Sequence, residues 1–167
     1  MTQSPSLMKS SQRSKDFIRR SLNHKIHFAG RFGATYFITI CCREKVRNSL
    51  CHERVAQEIF KTAAIYDDRQ LWYLELMLLM PDHLHGLISI DGDASLSSTV
   101  GNFKRATTTF ASIEWQRNFF DHRLRSDESF EEKAAYIRNN PVRAGLATNE
   151  DKWPFVLDRE AIEMAVR

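Results

Sequence analysis

A chain of 167 residues is long enough for one compact domain and too short for two comfortable ones. Its apolar fraction of 43% and charged fraction of 27% are typical of a soluble globular protein, and its longest apolar run, which Asp82 and His83 interrupt, is too short to span a bilayer. Three cysteines without zinc-finger spacing, and an N-terminus without an apolar signal segment, favour a reduced, cytoplasmic setting and no membrane partner.

The basic residues are concentrated at the N-terminus. Residues 1–31 contain seven Lys and Arg side chains and one Asp, so the remainder of the chain carries a net negative charge. Residues 1–23 are rich in Ser, Gln, Lys and Arg, which predicts a flexible basic arm with a short helical turn near 16–22. Such an arm is typical of proteins that bind nucleic acid, and a solvated tail has the same composition.

Hydrophobic periodicity and turn signals predict the following elements in chain order. They are a strand at 34–42, a helix at 50–66, strands at 71–80 and 83–90, a helix at 95–116, a strand at 119–124, a helix from 126 to 139 or 140, and a short helix near 159–166. Ser126 is the expected N-cap of the third helix, and Pro141 is expected to end it. The order β-α-β-β-α-β, then a helix, predicts an α+β ferredoxin-like split β-α-β fold: an antiparallel sheet with helices on one face.

The segment from residue 71 to residue 90 contains the first candidate site. Pro81 and Asp82 separate two apolar runs and predict a turn between strands. His83 and His85 open the second strand, where alternate side chains share a face, so both imidazoles are expected to point the same way. Two histidines on one rigid strand can hold a divalent metal, although a bare pair at this spacing is more often structural.

The helix after the last predicted strand contains the second half of the candidate site. Tyr136 and Asn140 are four residues apart, so they should lie one turn apart on the same face of that helix. A helical tyrosine commonly packs in the core, and an asparagine before proline commonly ends a helix. Each residue alone therefore has an ordinary structural explanation.

The motifs taken together resemble those of one family. These motifs are Met80-Pro81-Asp82-His83-Leu84-His85, then Trp115-Gln116-Arg117, then Phe120-Asp121-His122-Arg123-Leu124-Arg125, then Tyr136-Ile137-Arg138-Asn139-Asn140-Pro141-Val142-Arg143-Ala144-Gly145-Leu146. The chain resembles the single-tyrosine HUH transposases, most closely the REP-associated tyrosine transposases, over roughly residues 30 to 150. Many relatives have Asn and Val where this chain has Asp82 and Leu84, and neither change touches a histidine.

The resemblance implies a role for each matching residue. His83 and His85 match the metal-binding pair, Asn140 the third ligand, and Tyr136 the nucleophile. The family cleaves single-stranded DNA beside a hairpin and leaves a 5′-phosphotyrosine and a free 3′-hydroxyl. Composition and the resemblance together predict three segments: a basic arm at 1–23, a transposase-like catalytic domain at 24–150 and a C-terminal extension at 151–167 packed on that domain.

The implied chemistry agrees with the residue types. A phosphodiester repels nucleophiles and a phenol is mostly protonated at neutral pH, so charge neutralisation by a metal would assist in-line attack. Mg²⁺ or Mn²⁺ suits two imidazoles and an amide oxygen when phosphate oxygens and water complete the shell. A covalent intermediate conserves the bond energy, so strand transfer would need no ATP.

Contacts to single-stranded or hairpin DNA are expected from cations near the motifs. The candidates are Lys104, Arg105, Arg117, Arg123, Arg125, Arg138 and Arg143, together with the N-terminal arm. Tyr36, Trp72, Tyr73 and Trp115 are aromatic residues that could stack on bases, although aromatics at such spacing usually belong to the core. His122 could pair with a carboxylate or be structural.

The same sequence features are compatible with two other functions. A domesticated relative could bind hairpins or act as a regulator without cutting, although the complete set of four site residues argues against it. An unrelated small metallohydrolase could use the two histidines without a covalent intermediate. The sequence does not indicate the hairpin recognised, the physiological metal, or whether the protein is a monomer or a homodimer.

Overall fold

A computed structural model of the protein describes residues 32–45, 47–124 and 127–165. The elements are β1 (Phe32–Cys41), α1 (Glu53–Asp68), β2 (Tyr73–Leu79), β3 (His83–Asp91), α2 (Leu96–Ala111), β4 (Phe120–Arg123), α3 (Asp127–Arg143), a 3-10 turn (Glu150–Lys152), β5 (Val156–Asp158) and α4 (Arg159–Ala165). The strands form one antiparallel sheet in the order β4-β1-β3-β2-β5. The predicted ferredoxin-like α+β architecture is therefore confirmed.

The two faces of the sheet are covered by different helices. One face, which we call the α1/α2 face, has buried side chains that include Ile38, Ile40, Leu84, Ile88 and, from α2, Phe103. The other face, which we call the α3 face, has buried side chains that include Phe37, Leu76, Leu87 and, from α3, Ala134 and Ile137. Because strand side chains alternate between faces, His83 and His85 lie on the α3 face with Leu87. The helix that carries Tyr136 is therefore the helix that covers the histidines.

Residues 71–80 are almost continuously apolar because β2 is covered on both faces, and a bulge places Leu74 and Leu76 on opposite faces. Leu74 pairs with Ile88 and Leu76 pairs with Leu87, so Glu75 is the extra residue in the ladder. Leu74 packs on the α1/α2 face and Leu76 packs on the α3 face. A central strand that is covered on both sides needs apolar side chains on both sides.

Two helix ends differ from the sequence prediction. Helix α2 ends at Ala111 rather than near Gln116, because Ser112 adopts a left-handed backbone conformation with φ of 56°. Helix α3 continues through Pro141 to Arg143, so the expected stop before the proline is wrong. Pro141 lies in the last turn of the helix, where it removes one backbone donor. In the same turn, the Asn140 side-chain amide donates to the Tyr136 carbonyl oxygen at 3.1 Å. The predicted N-cap, Ser126, lies outside the described residues.

The C-terminal segment adds a fifth strand beside β2 that the sequence did not suggest. The guanidinium of Arg159 donates to both carboxylate oxygens of Asp67 at 2.8 and 2.9 Å, which links α4 to α1. The indole of Trp153 donates to the Leu79 carbonyl oxygen at 2.8 Å. These contacts attach the segment to the edge of the sheet farthest from β4.

In the described part of the chain, no helix combines the length and the apolar character that a membrane crossing requires. The predicted basic arm at 1–23 lies outside the described residues, as does Arg125.

Candidate active site

The two histidines of β3 form the base of the site. Their ring centroids are 4.8 Å apart, as expected for alternate residues on one strand face. Nδ1 of His83 lies 2.7 Å from Oδ1 of Asp82, and Nδ1 of His85 lies 2.9 Å from the hydroxyl of Thr39 on β1. Such partners hold a ring in one orientation, and they make Nε2 the nitrogen that each ring can offer to a metal.

Burial keeps His85 in the form that binds metals. His85 is only 6% exposed. Its pKa is lowered from 6.5 to about 3, mainly by desolvation and to a smaller extent by the nearby His83. A neutral imidazole retains a lone pair for a cation, whereas an imidazolium does not. At physiological pH His85 is therefore ready to act as a ligand.

Tyr136 lies beside His85 and is partly open to solvent. Its ring centroid is 6.1 Å from that of His85, with the planes at 66°, and the residue is 41% exposed. Phe37 lies beside both rings, stacked on His85 at 5.4 Å and edge-on to Tyr136 at 6.1 Å. The phenol therefore stands at the surface next to the imidazoles, instead of being buried among aliphatic side chains.

Two cations flank the tyrosine ring. The guanidinium of Arg143 lies 5.3 Å from the centroid of the Tyr136 ring. The ammonium of Lys133 lies 5.8 Å from the same centroid and 5.5 Å from that of Phe37. Both cations are attracted by the ring faces, and together they give the surface around the phenol a positive charge suited to a phosphate. Arg143 was expected from the sequence to contact DNA, whereas Lys133 was missed.

Asn140 lies one helical turn beyond Tyr136. Its Nδ2 donates to the Tyr136 carbonyl oxygen, so Oδ1 is the atom that it could offer to a metal. Among the described residues, His, Cys, Asp and Glu nowhere form a group of three that could hold a metal. A cation at this site would need the Asn140 amide, water or a phosphate oxygen beside the two imidazoles. This donor set fits a cation that keeps an open coordination shell, and the role of Asn140 stays a prediction.

The other predicted DNA contacts are spread over the surface. Lys104 lies on α2, across the sheet from the histidines, and donates to the carbonyl oxygens of Gln116 at 2.6 Å and Arg117 at 2.8 Å. Its burial lowers the pKa of Lys104. Arg105 donates to the Asn102 side chain on the same helix. These two cations therefore have structural partners, and their contact with DNA stays a prediction.

The remaining arginines differ in their surroundings. Arg138 pairs with Asp158 of β5 at 3.2 Å. Arg117 and Arg123 are both exposed. Arg123 pairs with Tyr36 and therefore lies on the α1/α2 face, away from the histidines. Of the predicted cations that the structure describes, Arg143 is the one seen in contact with Tyr136.

The aromatic residues suggested as base-stacking candidates belong largely to the core. Trp72 is fully buried, and Tyr36 and Trp115 pack against the same α1/α2 core. Tyr73 lies beneath the guanidinium of Arg159 at 4.3 Å. An exposed aromatic beside the site is instead Phe120, which the sequence placed in a short strand and in one of the family-like motifs but did not identify as a base-stacking candidate.

The chain is similar to known proteins over most of its length. A family model described as "Transposase IS200 like" matches residues 32–140. An uncharacterized protein of Haemophilus influenzae is 29% identical, with 74% of this chain and 88% of that protein covered. A REP-associated tyrosine transposase of Escherichia coli K12 is 25% identical, with 74% of this chain and 75% of that protein covered.

The fold also has a counterpart among solved structures. A REP-associated tyrosine transposase bound to a REP hairpin superposes with a TM-score of 0.65 at 22% identity. The match covers 81% of this chain and 83% of that one. At this level of identity the likeness establishes the shared fold.

Proposed function

This chain belongs to the IS200-like transposase family, and we propose that it nicks and rejoins single-stranded DNA beside hairpins through a covalent bond to Tyr136. The observation that carries this proposal is a partly exposed phenol that lies beside His85, whose ring is in turn beside that of His83. These groups come from α3 and β3, which are some fifty positions apart in the chain. A purely structural tyrosine would gain more from full burial than from this position at the rim.

The proposed covalent step uses the Tyr136 phenol as the nucleophile. The Tyr136 oxygen attacks the scissile phosphorus, the bond from phosphorus to the 3′-oxygen breaks, and that oxygen leaves as a 3′-hydroxyl after taking a proton from solvent. The phenol proton is released to solvent, and the DNA on the 3′ side of the cut remains attached to Tyr136 through its 5′-phosphate. Attack by another 3′-hydroxyl on this phosphotyrosine restores a phosphodiester and the free phenol. The bond count is conserved in both steps.

The residues around Tyr136 bind and orient the phosphate. Arg143 and Lys133 bring positive charge to the phenol from two sides, where the non-bridging phosphate oxygens would lie. His83, His85 and Asn140 would hold Mg²⁺ or Mn²⁺. That cation would neutralise charge on the phosphate. Thr39 and Asp82 keep the imidazoles oriented, so the site needs little rearrangement when DNA binds.

The proposed nucleic-acid partner is a DNA hairpin with an unpaired flank. A structural relative of this chain was solved bound to a REP hairpin. An unpaired flank is required because the phosphodiester must reach a phenol that lies close to the sheet surface, beside His85.

A gel assay tests the proposal. A hairpin-bearing oligonucleotide with single-stranded flanks, incubated with Mg²⁺ or Mn²⁺, should give a covalent protein–DNA species that survives denaturation. A label at the 3′ end of the DNA should travel with the protein, and a label at the 5′ end should appear on a released fragment. EDTA should abolish the product. The polarity of labelling separates a 5′-phosphotyrosine from any other adduct.

Matched tyrosine variants provide the control. Tyr136→Phe should form no adduct, whereas Tyr36→Phe, on the α1/α2 face, should form as much as the parent protein. Equal adduct from Tyr136→Phe would show that another group is the nucleophile. Tight hairpin binding without an adduct under either metal would favour a binding protein or regulator, and cleavage without an adduct would favour a metallohydrolase.

A further inference from the structure

We propose that Phe120 is a stacking platform for an unpaired base that flanks the scissile phosphate. This inference rests on the proposed function, because it assigns a base position to DNA held at Tyr136. It adds a binding subsite of defined chemistry, a single nucleobase, to the phosphate site described above.

Phe120 is an exposed aromatic ring at the rim of the site. It is 57% exposed, and all four residues of β4 are exposed. Phe120 pairs with Thr39 across the ladder between β1 and β4, so its side chain lies on the α3 face with Thr39 and the histidines. One side of its ring meets Phe37 edge-on at 6.1 Å. The contact with Phe37 supports the ring while much of it stays open.

Phe37 connects this ring to the nucleophile. The Phe37 centroid is 6.1 Å from Phe120 and 6.1 Å from Tyr136. The Phe120 ring therefore lies no more than twice that distance from the Tyr136 ring. A nucleotide next to the attacked phosphate could place its base on Phe120 without leaving the surface of the sheet.

The charges around the patch suit a nucleotide better than an apolar partner. Lys133 lies over Phe37, the ring that contacts both exposed rings, and Arg143 lies over Tyr136. His122 pairs with Phe37 and so lies on the same face of β4 as Phe120, whereas Asp121 pairs with Ile38 and lies on the other face. An aromatic platform bordered by cations is the combination with which proteins bind single-stranded nucleic acid.

The chain offers a matched control for exposure alone. Phe110, on α2, is 63% exposed, and α2 lies across the sheet from the histidines. If exposed phenylalanines merely attract DNA, the two residues should behave alike. If Phe120 holds a base beside Tyr136, only Phe120 should matter.

Binding of an uncut substrate tests the inference. In a Tyr136→Phe background, the affinity for a fluorescein-labelled hairpin with a single-stranded flank is measured by anisotropy. Replacing Phe120 by Ala should weaken binding about 5-fold to 100-fold, the range expected for one stacked base. Phe120→Trp should bind as well as the parent, because any large aromatic face serves. Phe110→Ala should leave the affinity unchanged.

Abasic substitutions along the flank locate the base. At one position next to the cleavage site, loss of the base should weaken DNA binding by the protein that retains Phe120. The same loss should not weaken DNA binding by Phe120→Ala any further. Absence of such coupling at every position, or an equal loss from Phe110→Ala, would overturn the inference. A change from dimer to monomer in Phe120→Ala without loss of DNA affinity would instead identify an interface between copies.

The two proposals fail in distinguishable ways. The binding assay uses a protein that cannot form the adduct, so its outcome does not depend on cleavage. An adduct at Tyr136 without coupling at Phe120 would reject the base platform alone. Coupling at Phe120 without any adduct from the parent protein would reject the cleavage reaction and leave a DNA-binding surface.

Discussion

Removal of the Thr39 hydroxyl should weaken metal binding without disturbing the sheet. Thr39→Val keeps the β-branched shape that suits β1 and deletes only the group 2.9 Å from Nδ1 of His85. Because His85 is 6% exposed, water has little access to replace that partner. An unpaired polar atom in such a place costs about 1–3 kcal/mol of unfolding free energy. Loss of a partner that orients a metal-binding histidine typically lowers metal affinity about 10-fold to 100-fold.

Two measurements on Thr39→Val separate stability from metal affinity. Urea unfolding in EDTA gives the change in free energy without metal. Mn²⁺ titration by calorimetry, at a temperature where both proteins are folded, gives the affinity. Thr35→Val is a matched control, because the Thr35 hydroxyl lies 2.7 Å from that of Ser89 on the same pair of strands. It should lose stability and retain the metal affinity of the parent.

The reasoning fails if Thr39→Val binds Mn²⁺ as tightly as the parent while losing stability. That result would mean that the contact with Thr39 stabilises the fold and does not orient His85 for metal binding. Thr39→Ser should recover most of the affinity, because it restores a hydroxyl at the same position.

Three further outcomes follow from the same structure. Folding lowers the pKa of His85, so the unfolded chain binds more protons than the folded protein between about pH 6.5 and 3. Without metal, the free energy of unfolding should therefore fall as the pH drops from about 6.5 towards 3, by at most about 1.4 kcal/mol per pH unit. His85→Gln should flatten this pH dependence in urea titrations. Arg143→Gln should lower the slope of log affinity against log salt for single-stranded DNA by about 0.7, the value for one phosphate contact, and an unchanged slope would place Arg143 away from the backbone. Arg159→Ala should cost about 2–3 kcal/mol of unfolding free energy by chemical denaturation, because the largely buried carboxylate of Asp67 loses its charged partner and keeps the hydrogen bond from the Leu74 backbone amide. Glu163→Gln, at an exposed partner, should cost under about 0.5 kcal/mol.

Local patterns were sufficient for the elements from β1 to α3, apart from two helix ends, and for half of the site geometry. The alternation around His83 and His85 predicted a shared strand face, and the four-residue spacing of Tyr136 and Asn140 predicted a shared helix face. Both are properties of one element at a time, so they can be read from a short stretch of chain. Pro141 shows the limit of such rules, because helix α3 continues past it to Arg143.

The sequence by itself determined the order of the elements from β1 to α3, the facing of the histidines along β3, and the family-like motif from Tyr136 to Leu146. The tertiary structure decided which distant side chains meet: that α3 covers the histidine face, that Thr39 orients His85, and that Phe37 joins Tyr136 to Phe120. It also directed Lys104 to the carbonyl oxygens of Gln116 and Arg117. The physical reason is that periodicity specifies a face within one element, whereas neighbours across a sheet depend on the order and register of strands that are far apart in the chain.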